Sequence, residues 1–151
     1  MTSKTIKIAA AAIVCAAMSM SSSALHAQQA GTRSVWDGVY TAAQAKRGSA
    51  AYDQHCAKCH GPSLDGVDEA PALAGQQFLS DWNGLTAGDL FDRIHKTMPA
   101  DNPGSLTPEV TADILAYVLS ANSFPAGTTE LSHQPEMLTQ IRIDPNKPAA
   151  K

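Results

Sequence analysis

Apolar residues in this chain fall into one unbroken run, Ile8 to Met18, and then into short spaced sets separated by glycine and proline. The first spaced set places Gly48, Tyr52 and Cys56 at i, i+4 and i+8, positions that share one face of a helix. Thr41 precedes that set, with Gln44 three residues on, so the spacing predicts a helix opening on a capping box. Gly48 inside a helix costs about 1 kcal/mol relative to Ala, and a close helix crossing would give it a reason. A second helix is predicted after Thr86, with Asp89 at its third position and Leu90, Phe91 and Ile94 on its apolar face. It should end near Lys96, because Pro99 disfavours helix in the residue before it. A third starts at Thr107-Pro108-Glu109, proline being well suited to the first helical position, and carries Val110, Ile114, Tyr117 and Val118 as far as Asn122.

Between these segments the chain reads as loop. Gly61-Pro62, Asp65-Gly66, Pro71 and Gly75 punctuate residues 61–81, and Asn102-Pro103-Gly104 sits within Pro99 to Leu106. Loops this long in a small domain are usually functional. Val35 to Tyr40 is too short for an element and is expected to pack over the start of the first helix. Beyond Ser123 come Pro125, Pro135, Pro145 and Pro148 with little periodicity, so this extension is expected to drape over the domain and fray after Ile143. No alternating pattern reads as a sheet, and the fold class is all-α.

The run from Ile8 to Met18 is too short to span a bilayer; with Lys4 and Lys7 before it and Ser/Ala-rich sequence after it, residues 1–27 read as a secretory signal peptide. Cleavage is expected after Ala24 or Ala27. Cys15 leaves with the signal, since Val14 before it is too bulky for a lipidation box. The rest divides into a domain over 28–124 and the irregular Pro-rich extension over 125–151. Removing the signal leaves nine basic against 14 acidic residues, a balance of −5. That balance speaks against nucleic acid or an anionic membrane surface as partner, permits docking to a basic surface, and also serves plain solubility.

Cys56-Ala57-Lys58-Cys59-His60 carries the chemistry. A C-x-x-C-H run is the attachment signature of a c-type haem. On a helix, Cys56, Cys59 and His60 would point the same way, so two thiols can add across the porphyrin vinyl groups while the imidazole sits under the iron. A zinc site would need a second cysteine pair, and a thioredoxin-like pair would need a βαβ context; the sequence offers neither. One covalent haem, held through Cys56 and Cys59, would also supply apolar volume that a chain this short lacks.

On these residues the chain resembles the small class I c-type cytochromes over about residues 35–124. Gly48 and Tyr52 stand where that family has a glycine–aromatic pair, and Ile114 and Tyr117 match the C-terminal helix it crosses. The resemblance implies three or more helices and long loops wrapped around one haem. It implies that Pro71, in Pro71-Ala72-Leu73-Ala74-Gly75, offers its carbonyl to the haem-ligating histidine, and that Met98-Pro99 supplies the ligand on the opposite haem face. Trp82 would donate its indole N–H to a haem propionate, although ordinary burial explains it as well. His95 is the main alternative ligand, on a short helix where a surface or rim position suits it better. Met137 reads as a packing residue, and His55 and His133 as solvated surface.

A haem iron with histidine and methionine on its two faces has no open position for a substrate, which leaves one-electron exchange. The expected function is a periplasmic monohaem electron carrier, not an enzyme, working between a dehydrogenase and a terminal acceptor. The lead-in Val35-Trp36-Asp37-Gly38-Val39-Tyr40 and the run Phe124-Pro125-Ala126-Gly127 resemble cytochromes that accompany periplasmic quinoprotein dehydrogenases. That narrower resemblance implies a quinoprotein dehydrogenase as donor and a terminal oxidase as acceptor. Two other readings stay open: a haem subunit bound permanently to a dehydrogenase, and a haem enzyme or sensor with a labile distal ligand.

Overall fold

In the computed structural model, residues 33–147 are described. They form, in order, a two-residue strand β1 (Arg33–Ser34), a 3-10 turn (Val35–Asp37), helices α1 (Ala42–His55), α2 (Ala57–His60), α3 (Gly75–Asp81), α4 (Ala87–Thr97), α5 (Pro108–Ala121) and α6 (Pro135–Leu138), and a second two-residue strand β2 (Ile141–Arg142). The described residues are mostly helical, as the sequence pattern predicts. The segment read as a signal peptide, 1–27, lies outside the described residues.

Threonine side chains start the three long helices. Thr41 Oγ1 accepts the N–H of Gln44, Thr86 Oγ1 that of Asp89 and Thr107 Oγ1 that of Val110. Each bond satisfies one of the N–H groups a helix start leaves without a partner, and losing such a cap typically costs about 1 kcal/mol. At Thr86 the box is complete, because Asp89 Oδ2 accepts the Thr86 N–H at 2.8 Å. At Thr41 it is not. The Gln44 side chain turns away and spans to Leu131, donating from Nε2 to its carbonyl at 2.9 Å and accepting its N–H at 2.7 Å.

The centre of the fold is the crossing of α1 on α5. A Cβ at Gly48 would lie 1.8 Å from the Asp113 carbonyl oxygen and 2.9 Å from Tyr117 Cβ, so the two backbones meet where Gly48 stands. Beside the crossing the rings of Tyr52 and Tyr117 lie 5.3 Å apart, centroid to centroid. α5 is buried more widely than its predicted face. Thr111, Ala112, Leu115, Ala116 and Leu119 join Ile114 and Val118 inside, while Val110 and Tyr117 are half-buried.

Several local expectations need correction. Val35–Asp37 is a 3-10 turn with a capping box of its own, in which Ser34 and Asp37 exchange side-chain and backbone bonds. The span 61–81 is not all loop, because α3 occupies Gly75–Asp81 around buried Phe78. A minimal parallel pair joins β1 to β2, Arg33 opposite Ile141 and Ser34 opposite Arg142. The run after Ser123 is not irregular throughout. It carries α6 and β2, and Leu131, Leu138, Ile141 and Ile143 are buried in the same core as Leu90 and Phe91. Complete burial of one such side chain contributes about 1.5–3 kcal/mol, which explains why single, aperiodic apolar residues suffice to hold this segment. It does not fray at Ile143, whose N–H donates to the Leu85 carbonyl at 2.8 Å, and Trp36 Nε1 donates to the Asp144 carbonyl at 2.8 Å. Met137 is not a packing residue; it is 50% exposed on α6.

Candidate functional site

The C-x-x-C-H run does not ride on α1. The backbone leaves the helix at Cys56 (φ −124°, ψ −37°) and starts again as the single turn α2. The Cys56 carbonyl accepts the N–H groups of both Cys59 (3.0 Å) and His60 (2.9 Å). That one turn still stacks the motif's fourth and fifth residues over its first, so the motif's side chains share a side, as their spacing requires. Cys56 is half-buried and Cys59 exposed, and both are free thiols. Burial, aided by the neighbouring Cys59, pushes the Cys56 thiol up to about 11, which keeps it protonated at neutral pH. Tyr52, fully buried beneath the motif, donates from its hydroxyl to the Gly61 carbonyl at 2.6 Å. Burial, with Cys56 next, holds that phenol well above its usual range.

His60 is 8% exposed, and its Nδ1 lies 2.8 Å from the Pro71 carbonyl oxygen. A carbonyl only accepts, so Nδ1 carries a proton, and it is this tautomer of the neutral ring that offers the Nε2 lone pair to a metal. The Pro71 carbonyl is itself held in place. Leu64, in the left-handed region at φ +60°, accepts with its carbonyl from Leu73 N (2.7 Å) and Ala74 N (3.2 Å). Gly66 donates to the His60 carbonyl at 3.0 Å, and a side chain there would run within 2.6 Å of the Ala70 carbonyl. Asn122, at the end of α5, clamps the same loop from the other side. Its Nδ2 donates to the Leu73 carbonyl at 2.9 Å and its Oδ1 accepts the Gly75 N–H at 3.0 Å. Sequence reasoning saw Asn122 only as a helix stop. Its partners lie 47 and 49 residues away, beyond any local signal.

Met98 caps the C-terminal end of α4, half-buried, with extended backbone (φ −119°, ψ 152°) and its N–H on the Ile94 carbonyl at 2.9 Å. His95 is half-buried, stacked on Phe91 at 5.6 Å, with Nδ1 3.4 Å from Thr111 Oγ1. Trp82 follows α3, half-buried, 6.2 Å from Phe78 ring to ring. The structure thus joins His60 to Pro71 directly and puts both cysteines on the histidine's turn. Met98 and Trp82 come from other elements, and no hydrogen bond ties either to the motif among the described residues. His55 and His133 are exposed, the latter 3.7 Å from Glu109.

These residues fit a covalently attached haem. Two free thiols and an imidazole with its outer nitrogen available share one turn. Ala57 on the motif's own turn, and Leu73 and Ala74 in the loop that carries Pro71, are apolar side chains only partly covered by the core, the kind of surface a porphyrin face would cover. A shallow cavity of about 250 Å³ between α1 and α5, lined by Tyr40, Lys46, Ser49, Tyr117 and Ser120 among others, shares no residue with this group. Among the described residues no helix is long and apolar enough to cross a membrane.

Fold and motif together define a class I c-type cytochrome, an electron-transfer protein that binds haem c. Residues 43–118, half of the chain, match the family described as cytochrome C oxidase, cbb3-type, subunit III, and the chain belongs to that family. It is also similar to the crystal structure of the sulfane dehydrogenase SoxCD from Paracoccus pantotrophus, with 25% identity and a TM-score of 0.50. That similarity covers 72% of this chain and 61% of the other, so this chain spans less than two thirds of that relative's length. No curated protein matches it.

Proposed function

We propose that this protein is a periplasmic monohaem electron carrier, with residues 1–27 as its export signal, 28–124 as the haem-binding unit and 125–151 as a C-terminal extension. The observation that carries the reading is the 2.8 Å bond from His60 Nδ1 to the Pro71 carbonyl, which fixes the ring's tautomer and orientation and makes Nε2 a better donor. When bound, haem iron supplies reversible one-electron chemistry between ferric and ferrous states. Cys56 and Cys59 would hold the group through thioether links, and His60 would ligate the iron through Nε2. Met98 would supply a second ligand that keeps out water and small ligands, its sulfur favouring the ferrous state. Trp82 would offer its indole N–H to a propionate. The half-buried Ala57, Leu73 and Ala74 would help to exclude water, which favours the less charged ferrous form further.

The partners we assign are a quinoprotein dehydrogenase as donor and a terminal oxidase as acceptor. The family description, which names an oxidase subunit, supports the acceptor class. Exposed Lys58 and Cys59 and the loop from Pro99 to Pro103 frame the docking edge, and the acidic balance of the chain suits a basic partner surface. The match to a sulfane dehydrogenase favours one second reading, a haem subunit held within a dehydrogenase complex. The test is an absorption and redox titration of the exported holoprotein beside a Cys56→Ala/Cys59→Ala variant. A reversible one-electron wave, with haem that acidified solvent extracts only from the variant, is the expected result. Haem that extracts from wild type as well overturns covalent attachment, and co-purification with a dehydrogenase at high salt selects the second reading.

A further inference from the structure

The C-terminal segment grips one end of the helix whose other end presents Met98. Gly88, in the first turn of α4, has no room for a side chain, because a Cβ there would lie 2.8 Å from both the backbone N and the Cγ2 of Thr139, which follows α6. Just before α4, Gly84 donates to the Ile143 carbonyl at 2.9 Å and Ile143 donates back to the Leu85 carbonyl at 2.8 Å. Thr86, the cap residue of α4, forms an antiparallel bridge with Arg142. Leu138 and Ile143, both fully buried, lie in one core with Leu90 and Phe91 of α4. The segment is in turn tied to the front of the chain through β1 and β2 and through Trp36 and Asp144. At the far end of α4 the last backbone bond, Met98 N to the Ile94 carbonyl, leads straight into the residue proposed as distal ligand.

An 11-residue helix moves as a rigid rod, so a shift where it is gripped is passed to its other end. We infer that Gly88, Thr139 and Ile143 are positioning residues for Met98: the C-terminal segment sets where α4 sits and thereby how firmly the methionine sulfur stays on the distal face. This inference rests on the proposed role of Met98. It assigns to residues 138–143 a function in tuning the redox site beyond their share in stability.

The test uses full-length ferric holoprotein and inorganic cyanide as a probe that competes with the methionine. The variants are Ile143→Ala and Thr139→Ala, with Tyr40→Phe as the comparison, because Tyr40 bonds Phe124 and lies outside the α4 contacts named above. Loosening the grip should raise the apparent cyanide affinity by about tenfold in both α4-contact variants and leave it unchanged in Tyr40→Phe. The Met–iron charge-transfer band should also fade at lower denaturant than the helical signal in Ile143→Ala, while the two fade together in Tyr40→Phe. Cyanide affinity that stays at the wild-type level, or rises equally in Tyr40→Phe, overturns the inference while leaving the ligand assignment standing. A charge-transfer band that survives in Met98→Ala overturns the ligand assignment and this inference with it.

Discussion

Gly48 and Asp113 meet backbone to backbone: a methyl group on Gly48 would stand 1.8 Å from the Asp113 carbonyl oxygen. No rotation of a side chain can relieve that approach, since the obstacle is the main chain of α5. The neighbouring residue reinforces the contact, as Arg47 Nε and Nη2 each donate to the Asp113 carboxylate at 2.9 Å. That pair is solvent-exposed on the arginine side and is screened by water, so it adds little. The glycine matters more.

Gly48→Ala should therefore reverse the usual rule. In an ordinary helix interior Ala is better than Gly by about 0.5–1 kcal/mol. Here the added carbon forces α1 off α5, and overpacking of this kind costs about 1–3 kcal/mol or more. Thermal unfolding of the holoprotein measures it. A melting temperature equal to or above wild type would mean that the helices cross with space between them.

Gln44→Leu tests the clamp on Leu131. The substitution keeps a buried side chain but strands the Leu131 N–H and carbonyl, both otherwise satisfied by Gln44. Leaving buried backbone groups unpaired costs about 1–3 kcal/mol. Denaturant unfolding should show that loss, and hydrogen exchange should speed up at the Leu131 amide while the α5 amides stay protected. Equal acceleration throughout would show global weakening instead of a local clamp.

The contrast between Gln44 and Thr41 marks the reach of sequence reasoning. Thr41, Thr86 and Thr107 were legible because a cap and its N–H lie three residues apart, and Gly48 because it repeats with Tyr52 at helical spacing. Gln44 fits the same local rule and breaks it, since its better partner is 87 residues away. The site divides in the same way. The two cysteines and His60 are a contiguous motif, whereas the clamp of Asn122 on Leu73 and Gly75 leaves no trace in spacing. α3 was missed because glycine opens it and only Phe78 is buried. The tail was misread because Leu131, Leu138, Ile141 and Ile143 enter the core one at a time, from loop, the single turn of α6 and extended chain, so no period accompanies their burial.

Tyr40→Phe should show a pH signature. Tyr40 is buried and donates its hydroxyl to the Phe124 carbonyl at 2.5 Å. Burial raises its ionisation above the ordinary value of 10.0, with a bond to Ser120 opposing. A raised value means that the folded state holds the proton more tightly than the unfolded one. The stability this contributes is complete below pH 10 and is lost as pH climbs toward the raised folded value. At pH 7 the variant should be about 1 kcal/mol less stable than wild type. The gap should shrink above pH 10, and unfolding curves at pH 7 and pH 11 decide the matter; a constant gap would mean that Tyr40 ionises freely in the fold.

Met98→Ala and His95→Ala should part company. Losing the methionine should open the distal face, admit carbon monoxide to ferrous iron and lower the potential. Losing His95 removes a stack on Phe91 and a long contact to Thr111, and should leave spectrum and potential in place. Carbon monoxide binding and a redox titration of both variants check this. The reverse pattern would transfer the ligand role to His95.

Trp36 and Asp144, bonded in the finished fold, are 108 residues apart in the chain. Synthesis gives that bond a direction in time. Ser34 and Trp36 are made early, and their partners Arg142 and Asp144 follow only 108 residues later, however soon α1, α4 and α5 assemble. Bringing such distant segments together is slow relative to local helix formation. Without residues 140–144 the haem motif and the long helices would remain, yet β1 and the Trp36 indole N–H would lack their partners and the core around Leu90 and Phe91 would lose Ile141 and Ile143.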